Sequence, residues 1–299
     1  MNILIIGLGN IGFAHLRSFF LSKKKYTIDL YDKKEIEFDK FSKINKNKID
    51  INILSKLPKK KIYSLVIIST SSLERFNLLK KVIKENKVGY FILEKMMFAK
   101  HEHYKKSILF TKNHKNKIFV NVWGSLIIHL LKIKIKRKKL PIKFQAIIKE
   151  GRLITNLIHY MDMFCHITEK NLNFDINIER IFFSKRKPYK EASGKLFGYN
   201  KFGSILIESN PNVETDKILI EVGDDIHTIF INKNKCAIYY KNSKFLKKIP
   251  FPFAYSYTFK IFENLMKKNH KEIINNFRFI HKISEKLIFK LEKIKMKIT

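Results

Sequence analysis

The sequence predicts an α/β protein whose N-terminal part is a doubly wound parallel sheet. Three observations carry that prediction. An apolar run over 3–6 leads into Gly7-Leu8-Gly9-Asn10-Ile11-Gly12, and a helical pattern follows at once. A second strand-like run over 26–31 ends in Asp32, 20 residues after Gly12. Further apolar runs at 65–70 and 88–93 alternate with amphipathic stretches, which is the rhythm of βαβ units. With 299 residues the chain exceeds one comfortable core, so two domains are expected, over 1–122 and 123–299.

Each glycine of the first turn has a physical job. Gly7 lets the chain turn tightly, Gly9 lets the backbone approach a pyrophosphate, and Gly12 lets the helix pack on the strand. The free N–H groups at the helix start, from Asn10 and Ile11 onward, then face an anion with the helix dipole behind them. Asp32 is placed to accept the hydroxyls of a ribose. It would repel a 2′-phosphate and so favours NAD, while Lys33 and Lys34 beside it leave NADP open.

The rest of this half follows in order. The first helix is expected over 13–20. Residues 35–60 read as a short helix, a weak strand at 51–54 and a loop. The strand at 65–70 has a continuous β-branched run and ends in hydroxyls, Ser69-Thr70-Ser71. Those hydroxyls either meet a cofactor at the carboxyl edge of the sheet or cap the helix expected over 73–85. The strand at 88–93 stops at Glu94-Lys95, where a parallel strand delivers side chains to the ligand crevice. A helix over 98–113 and a strand over 118–121 close the sheet.

Composition sets limits. The 45% hydrophobic fraction is that of a soluble globular protein, and no apolar stretch is long enough to span a bilayer. The N-terminus lacks the basic region of a signal peptide. Cys165 and Cys236 have no metal-ligand spacing, so a reducing, cytoplasmic setting is expected, with no metal and no disulfide framework. The formal net charge is +35. Lysine, isoleucine, asparagine and phenylalanine are abundant, as an AT-rich genome would produce, and the basic residues are scattered along the whole chain. Scatter favours compositional drift over a nucleic-acid-binding face, and no helix-turn-helix, zinc or RNA-binding signature is present.

Taken together, GLGNIGFAHLR, YD at Tyr31-Asp32, VIIST ending at Thr70, ILEK ending at Lys95 and LIHYMD ending at Asp162 resemble the glucose–fructose oxidoreductase / inositol dehydrogenase / MocA family. SKRKPYKEASG, ending at Gly194, and VNVW, ending at Trp123, resemble a branch associated with bacterial surface sugars. The resemblance implies a Rossmann domain followed by an α/β domain with a large, mostly antiparallel open sheet, which often forms the interface of a homo-oligomer. The second half is compatible. Helices are expected over 126–137, where the alternation over 132–136 would also suit a strand, and over 153–168, 255–268 and 271–295. Strands are expected at 142–149, 176–184, 204–208, 218–222, 226–231 and 237–240, with a hairpin turn at Gly223-Asp224-Asp225.

The resemblance also implies an activity: NAD(P)-dependent hydride transfer to or from a carbinol carbon of a small, sugar-like substrate. Lys95 matches the lysine of the family's EKP motif, beside the nicotinamide, with Met96 where proline is usual. His159 matches the histidine that the family uses as proton acceptor and donor. Thr155 stands where many members carry a substrate-binding aspartate, and Asn156 next to it is typical of the suspected branch. Thr155, His159 and Asp162 share one helix face. His15 is expected to pack beside the glycine turn. Gly151 alone survives from a glycine-rich segment, and Arg152 is placed to meet an anionic substrate group. Lys185, Arg186 and Lys187 either do the same or form a solvated strand end. Met96 and Thr155 keep a second reading open, a non-catalytic dinucleotide-binding or regulatory protein.

Overall fold

The computed structural model describes residues 1–35, 48–114, 117–135, 141–184, 189–232, 236–251, 257–266 and 277–296. The chain divides into two compact units. The first is Met1–Asn121 with Phe253–His281, and the second is Val122–Pro252 with Lys282–Thr299. Contacts thus group the chain differently from a single cut at 122/123, because a later segment returns to the first unit.

The first unit holds a six-stranded parallel sheet of β1 (Asn2–Ile6), β2 (Tyr26–Tyr31), β3 (Ile49–Ile53), β4 (Ile62–Ile68), β5 (Lys87–Glu94) and β6 (Ile118–Asn121). Their order is β3-β2-β1-β4-β5-β6, the Rossmann order, with the reversal between β1 and β4. Ile3, Leu4, Ile5, Leu65, Val66 and Ile67 are fully buried, as strands covered on both faces must be. Helices α1 (Asn10–Phe19), α2 (Ser72–Glu85) and α3 (His101–Thr111) connect the strands. The returning helix α6 (Thr258–Met266) joins the same core through Phe259, Ile261 and Phe262. Glu263 on it accepts hydrogen bonds from the Ser22 and Tyr26 hydroxyls at 2.6 and 2.8 Å.

The second unit holds an eight-stranded sheet made from β7 (Ile142–Lys149), β8 (Asn173–Phe183), β9 (Lys190–Asn200), β10 (Gly203–Asn210), β11 (Asp216–Val222), β12 (Asp225–Asn232), β13 (Cys236–Lys241) and β14 (Lys244–Pro250). The order is β14-β13-β12-β11-β7-β10-β9-β8, and only β7–β10 is a parallel pair. Helix α5 (Leu153–Ile167) packs on β7, β9 and β10, and α4 (Gly124–Leu131) packs on α5. Nearly every residue of α5 is buried, the polar Asn156, His159 and Asp162 included. The last helix, α7 (Phe277–Lys293), begins in the first unit and ends in the second.

Several boundaries differ from expectation. The helix expected over 98–113 starts at His101, because Met96, Met97 and Phe98 form a buried loop and the Phe98 N–H donates to the Tyr104 hydroxyl at 3.1 Å. The helix expected over 126–137 ends at Leu131, where Lys132 turns left-handed at φ 57°. Two strands, β9 and β14, have no counterpart in the sequence reading. The hairpin at Gly223-Asp224 is present, with Val222 paired to Asp225 and Gly223 at φ 59°. The short helix expected within 35–60 and the Lys185-Arg186-Lys187 cluster lie outside the described residues.

Candidate functional site

In the first unit, the expected cofactor residues gather at the carboxyl edge of the parallel sheet, at the reversal of strand order. Gly7 has φ 90°, a conformation that disfavours a side chain, and its N–H donates to Tyr31 O at 2.9 Å. A Cβ on Gly12 would lie 1.8 Å from Gly7 O, so only glycine lets α1 start this close to the strand. A Cβ on Gly9 would meet nothing within 4 Å, so the space beside it is open. Gly9 is the N-cap of α1, with no side-chain cap and no acid in the first turn. The first N–H groups of α1, Asn10, Ile11 and Gly12, therefore face this space without intrahelical acceptors. That cradle fits a pyrophosphate. Asp32 is fixed at its rim, with Oδ2 accepting the Leu8 N–H and Oδ1 accepting the Lys34 N–H at 3.0 Å. Lys33 forms an ion pair with Glu74.

The hydroxyls beyond β4 do different work from one another. Ser69 Oγ donates to Gly7 O at 2.7 Å and so braces the glycine turn. Thr70 packs against Gly7, and Ser71 occupies the N-cap of α2 without a side-chain cap bond.

Glu94 and Lys95 leave β5 at the same edge. The Glu94 carboxylate accepts from Asn121 Nδ2, and Glu94 Oε1 lies 2.8 Å from His15 Nε2. His15 Nδ1 lies 2.7 Å from Thr258 Oγ1, so this fully buried histidine bridges Glu94 to α6. Burial pushes the Glu94 carboxyl up, but hydrogen bonding and charge from His15, the Asn121 amide and the charge of Arg75 outweigh it and hold the group below its ordinary value. Lys95 is half-buried, and its peptide to Met96 is cis.

Arg75 is the residue of this edge that the sequence reading missed. It is buried on α2, and its guanidinium donates to the carbonyls of Thr70, Glu94, Met96 and Met97, the bonds to Glu94 and Met97 being 2.6 and 3.1 Å. One planar cation thereby fixes both loops that carry the hydroxyls and Lys95. Nothing in its sequence surroundings marks it among 61 lysines and arginines.

In the second unit, α5 carries the other expected residues. His159 is buried and stacks on the Trp123 ring, with centroids 4.5 Å apart and planes 22° from parallel. Its Nδ1 accepts the Trp123 N–H at 3.2 Å. Asp162 Oδ2 accepts the Ser125 N–H at 2.7 Å, and so caps α4. Burial raises the Asp162 carboxyl to about 6, against the opposing effects of the Ser125 hydrogen bonds and Lys170. Gly124 makes this approach possible, since a Cβ there would stand 2.0 Å from His159 O. Arg152 is the N-cap of α5, and Asn156 Nδ2 donates back to its carbonyl at 2.8 Å. Glu191, buried on β9, accepts from Thr155 N–H at 3.1 Å and from Thr155 Oγ1 at 2.8 Å. A carboxylate thus stands beside position 155 although the sequence has threonine there. No cluster of potential metal ligands occurs among the described residues.

Residues 1–122 match the oxidoreductase family with an NAD-binding Rossmann fold, GFO_IDH_MocA. Through these residues the first unit is similar to that family, and the match covers less than half of the chain. Solved structures align with both units of the chain. A dehydrogenase (MviM) from Clostridium difficile has 14% identity and a TM-score of 0.69, covering 98% of this chain and 99% of its own. A Gfo/Idh/MocA family oxidoreductase from Vibrio cholerae has 10% identity and a TM-score of 0.64, covering 98% and 99%. Biliverdin reductase from Synechocystis sp. PCC 6803, in complex with biliverdin and NADP+, has 9% identity and a TM-score of 0.62, covering 97% and 98%. At such identities these neighbours establish the fold alone. No curated protein matches the chain.

Proposed function

We propose that the protein is an NAD-dependent oxidoreductase of the CH–OH group of a sugar derivative, of the kind used in bacterial surface polysaccharides. The observation that carries the reading is the carboxyl edge of the parallel sheet, where the bare glycine cradle, the fixed Asp32 carboxylate and the Arg75-braced loop of Lys95 gather. When bound, the nicotinamide supplies or accepts the hydride. Gly7, Gly9, Asn10, Ile11 and Gly12 hold the pyrophosphate by backbone N–H groups. Asp32 takes the ribose hydroxyls, and its charge disfavours a 2′-phosphate. Lys33, paired with Glu74, is already engaged by an acid, which supports NAD as the preferred cofactor. The NADP+ in the Synechocystis enzyme keeps both cofactors in the test.

Lys95 stabilises alkoxide character on the substrate as its proton leaves. His159 acts on the substrate oxygen from α5. Arg152, Thr155 and Asn156 contact the substrate, with the Glu191 carboxylate holding Thr155 in place. The test is a screen of sugars and nucleotide sugars with each cofactor, followed by Lys95→Met and His159→Ala. The expected result is turnover that falls about 10²–10⁴-fold in each variant while cofactor affinity stays. Cofactor binding without turnover across the panel, or variants as active as wild type, would overturn the assignment.

A further inference from the structure

The first unit has a cavity at the amino edge of its parallel sheet, opposite to the glycine cradle, where β4 and β5 begin and α2 ends. Its volume is about 370 Å³, the size of a small-ligand pocket. Lys60, Lys61, Lys84 and Lys87 line it, together with Ile62 and Glu85. The backbone fixes these residues around the space. The Lys60 N–H donates to Glu85 O at 2.8 Å, and the Lys87 N–H donates to Lys61 O at 2.9 Å. The Asn86 amide ties the same segments together, with Nδ2 donating to Pro58 O at 3.0 Å and Oδ1 accepting the Lys61 N–H at 3.1 Å.

Three features set this cluster apart from the lysines scattered along the chain. Lys60 is left-handed, at φ 55°, a conformation that glycine takes without strain and lysine does not. Strain kept in place by neighbouring bonds is characteristic of functional positions. The four lysines also crowd without compensation. A space of that volume is about 9 Å across, close to the ~8 Å screening length of physiological salt, so charges around it repel one another. The negative end of α2 offsets Lys84 in its last turn, whereas Lys60, Lys61 and Lys87 belong to other segments. Among the described residues none of the four has an acid within 4 Å, and Glu85 lies 4.0 Å from Lys59 instead. Finally, Glu85 Oε2 is buried with no hydrogen-bond partner among the described residues. Such an oxygen takes a donor. A fully ionised phosphate has none to give, and a hydroxyl has one.

We propose that this cavity is a second ligand site, which binds a small phosphorylated polyol such as a sugar phosphate. The lysine ammonium groups hold the phosphate, a hydroxyl donates to Glu85 Oε2, and the carbon face of the ring lies on Ile62, whose side chain is 67% exposed. The site lies at the other end of the strands from the cofactor residues, and it does not rest on the oxidoreductase reading.

The test is amide NMR of the perdeuterated full chain in about 0.15 M salt, titrated separately with glucose 1-phosphate, inorganic phosphate and glucose. The expected result is saturable shifts at Lys60, Lys61, Glu85, Asn86 and Lys87, with glucose 1-phosphate bound at least about tenfold more tightly than phosphate or glucose. Lys60→Gly relieves the left-handed residue, so it is expected to melt close to wild type and yet to lose at least about tenfold in affinity. Lys87→Gln is expected to lose as much, and Glu85→Ala to narrow the preference for the sugar phosphate over phosphate. Lys81→Gln makes the same charge change on α2 outside the lining, and is expected to stay within about twofold of wild type. Shifts spread over the lysines of the whole chain without saturation, or phosphate bound as tightly as glucose 1-phosphate, would mean an adventitious ion only and overturn the proposal. Binding left intact by Lys60→Gly and Lys87→Gln, or weakened as much by Lys81→Gln, would also overturn it. So would shifts confined to residues 7–12, which would put the ligand at the glycine cradle.

Discussion

Glu94 and Asp162 are both buried carboxylates, and pH moves them in opposite directions. Glu94 is met by an imidazole, an amide and a guanidinium, so its folded value lies below its ordinary one. Its contribution to stability is present above the ordinary carboxylate value and is lost as pH falls through the lowered one. Asp162 is raised to about 6 by burial, with the Ser125 hydrogen bonds opposing. Its contribution is fully present below about pH 4 and is lost as pH rises through about 6. A shift of about two units corresponds to ~3 kcal/mol at neutral pH. Asp162→Asn keeps an acceptor for Ser125 and removes the charge. We therefore expect the variant to unfold in denaturant at a higher midpoint than wild type at about pH 8, with the slope between about pH 4 and 6 flattened. A lower midpoint at that pH would show that the charge of Asp162 supports the fold.

The start of α4 shows how one small residue positions an element. Gly124 brings the Trp123 and Ser125 N–H groups onto His159 and Asp162. Gly124→Ala places a methyl 2.0 Å from His159 O, which is expected to cost about 1–3 kcal/mol by overpacking and to shift the fluorescence of Trp123, the sole tryptophan. Unchanged stability and fluorescence would mean that α4 has room to move. Elements with strong local patterns were legible in the sequence: the glycine turn, the buried β-branched strand β4 and the alternating strand β7. The misses have physical causes. Strand β9 carries Gly194 and Gly198, poor strand formers, kept because Cβ atoms there would collide with Asn177 O and Asn173 O. Strand β14 is a mostly exposed edge protected by Lys244, Lys247 and Lys248, and its turn uses Asn242-Ser243 at positive φ rather than Asn-Gly. Arg75 and Glu191 were invisible because their roles arise only when distant segments meet, α2 with the ends of β4 and β5, and β9 with α5.

At the scale of the whole molecule, the strand order of the first sheet puts β1 and β4 side by side, and the cradle lies where their carboxyl ends diverge. The second sheet leaves large apolar residues in solvent, Phe197 at 56% and Tyr199 at 55% exposure on neighbouring positions of β9. Together with the family resemblance, this supports pairing with a second copy through that face. We expect sedimentation to give a dimer at micromolar concentration and Phe197→Glu to give a monomer; a monomeric wild type would contradict it. The most direct test of the central claim is a calorimetric titration of NAD(H) and NADP(H), in moderate salt, on wild type, Asp32→Ala and Gly9→Ala. A Cβ at Gly9 meets no protein atom within 4 Å, so this variant should melt with wild type and yet fill the space that a pyrophosphate needs. The account predicts that wild type binds NAD more tightly than NADP, and that Gly9→Ala loses at least about tenfold in affinity with its melting temperature unchanged. Failure of wild type to bind either cofactor, or binding by Gly9→Ala equal to wild type, would contradict it.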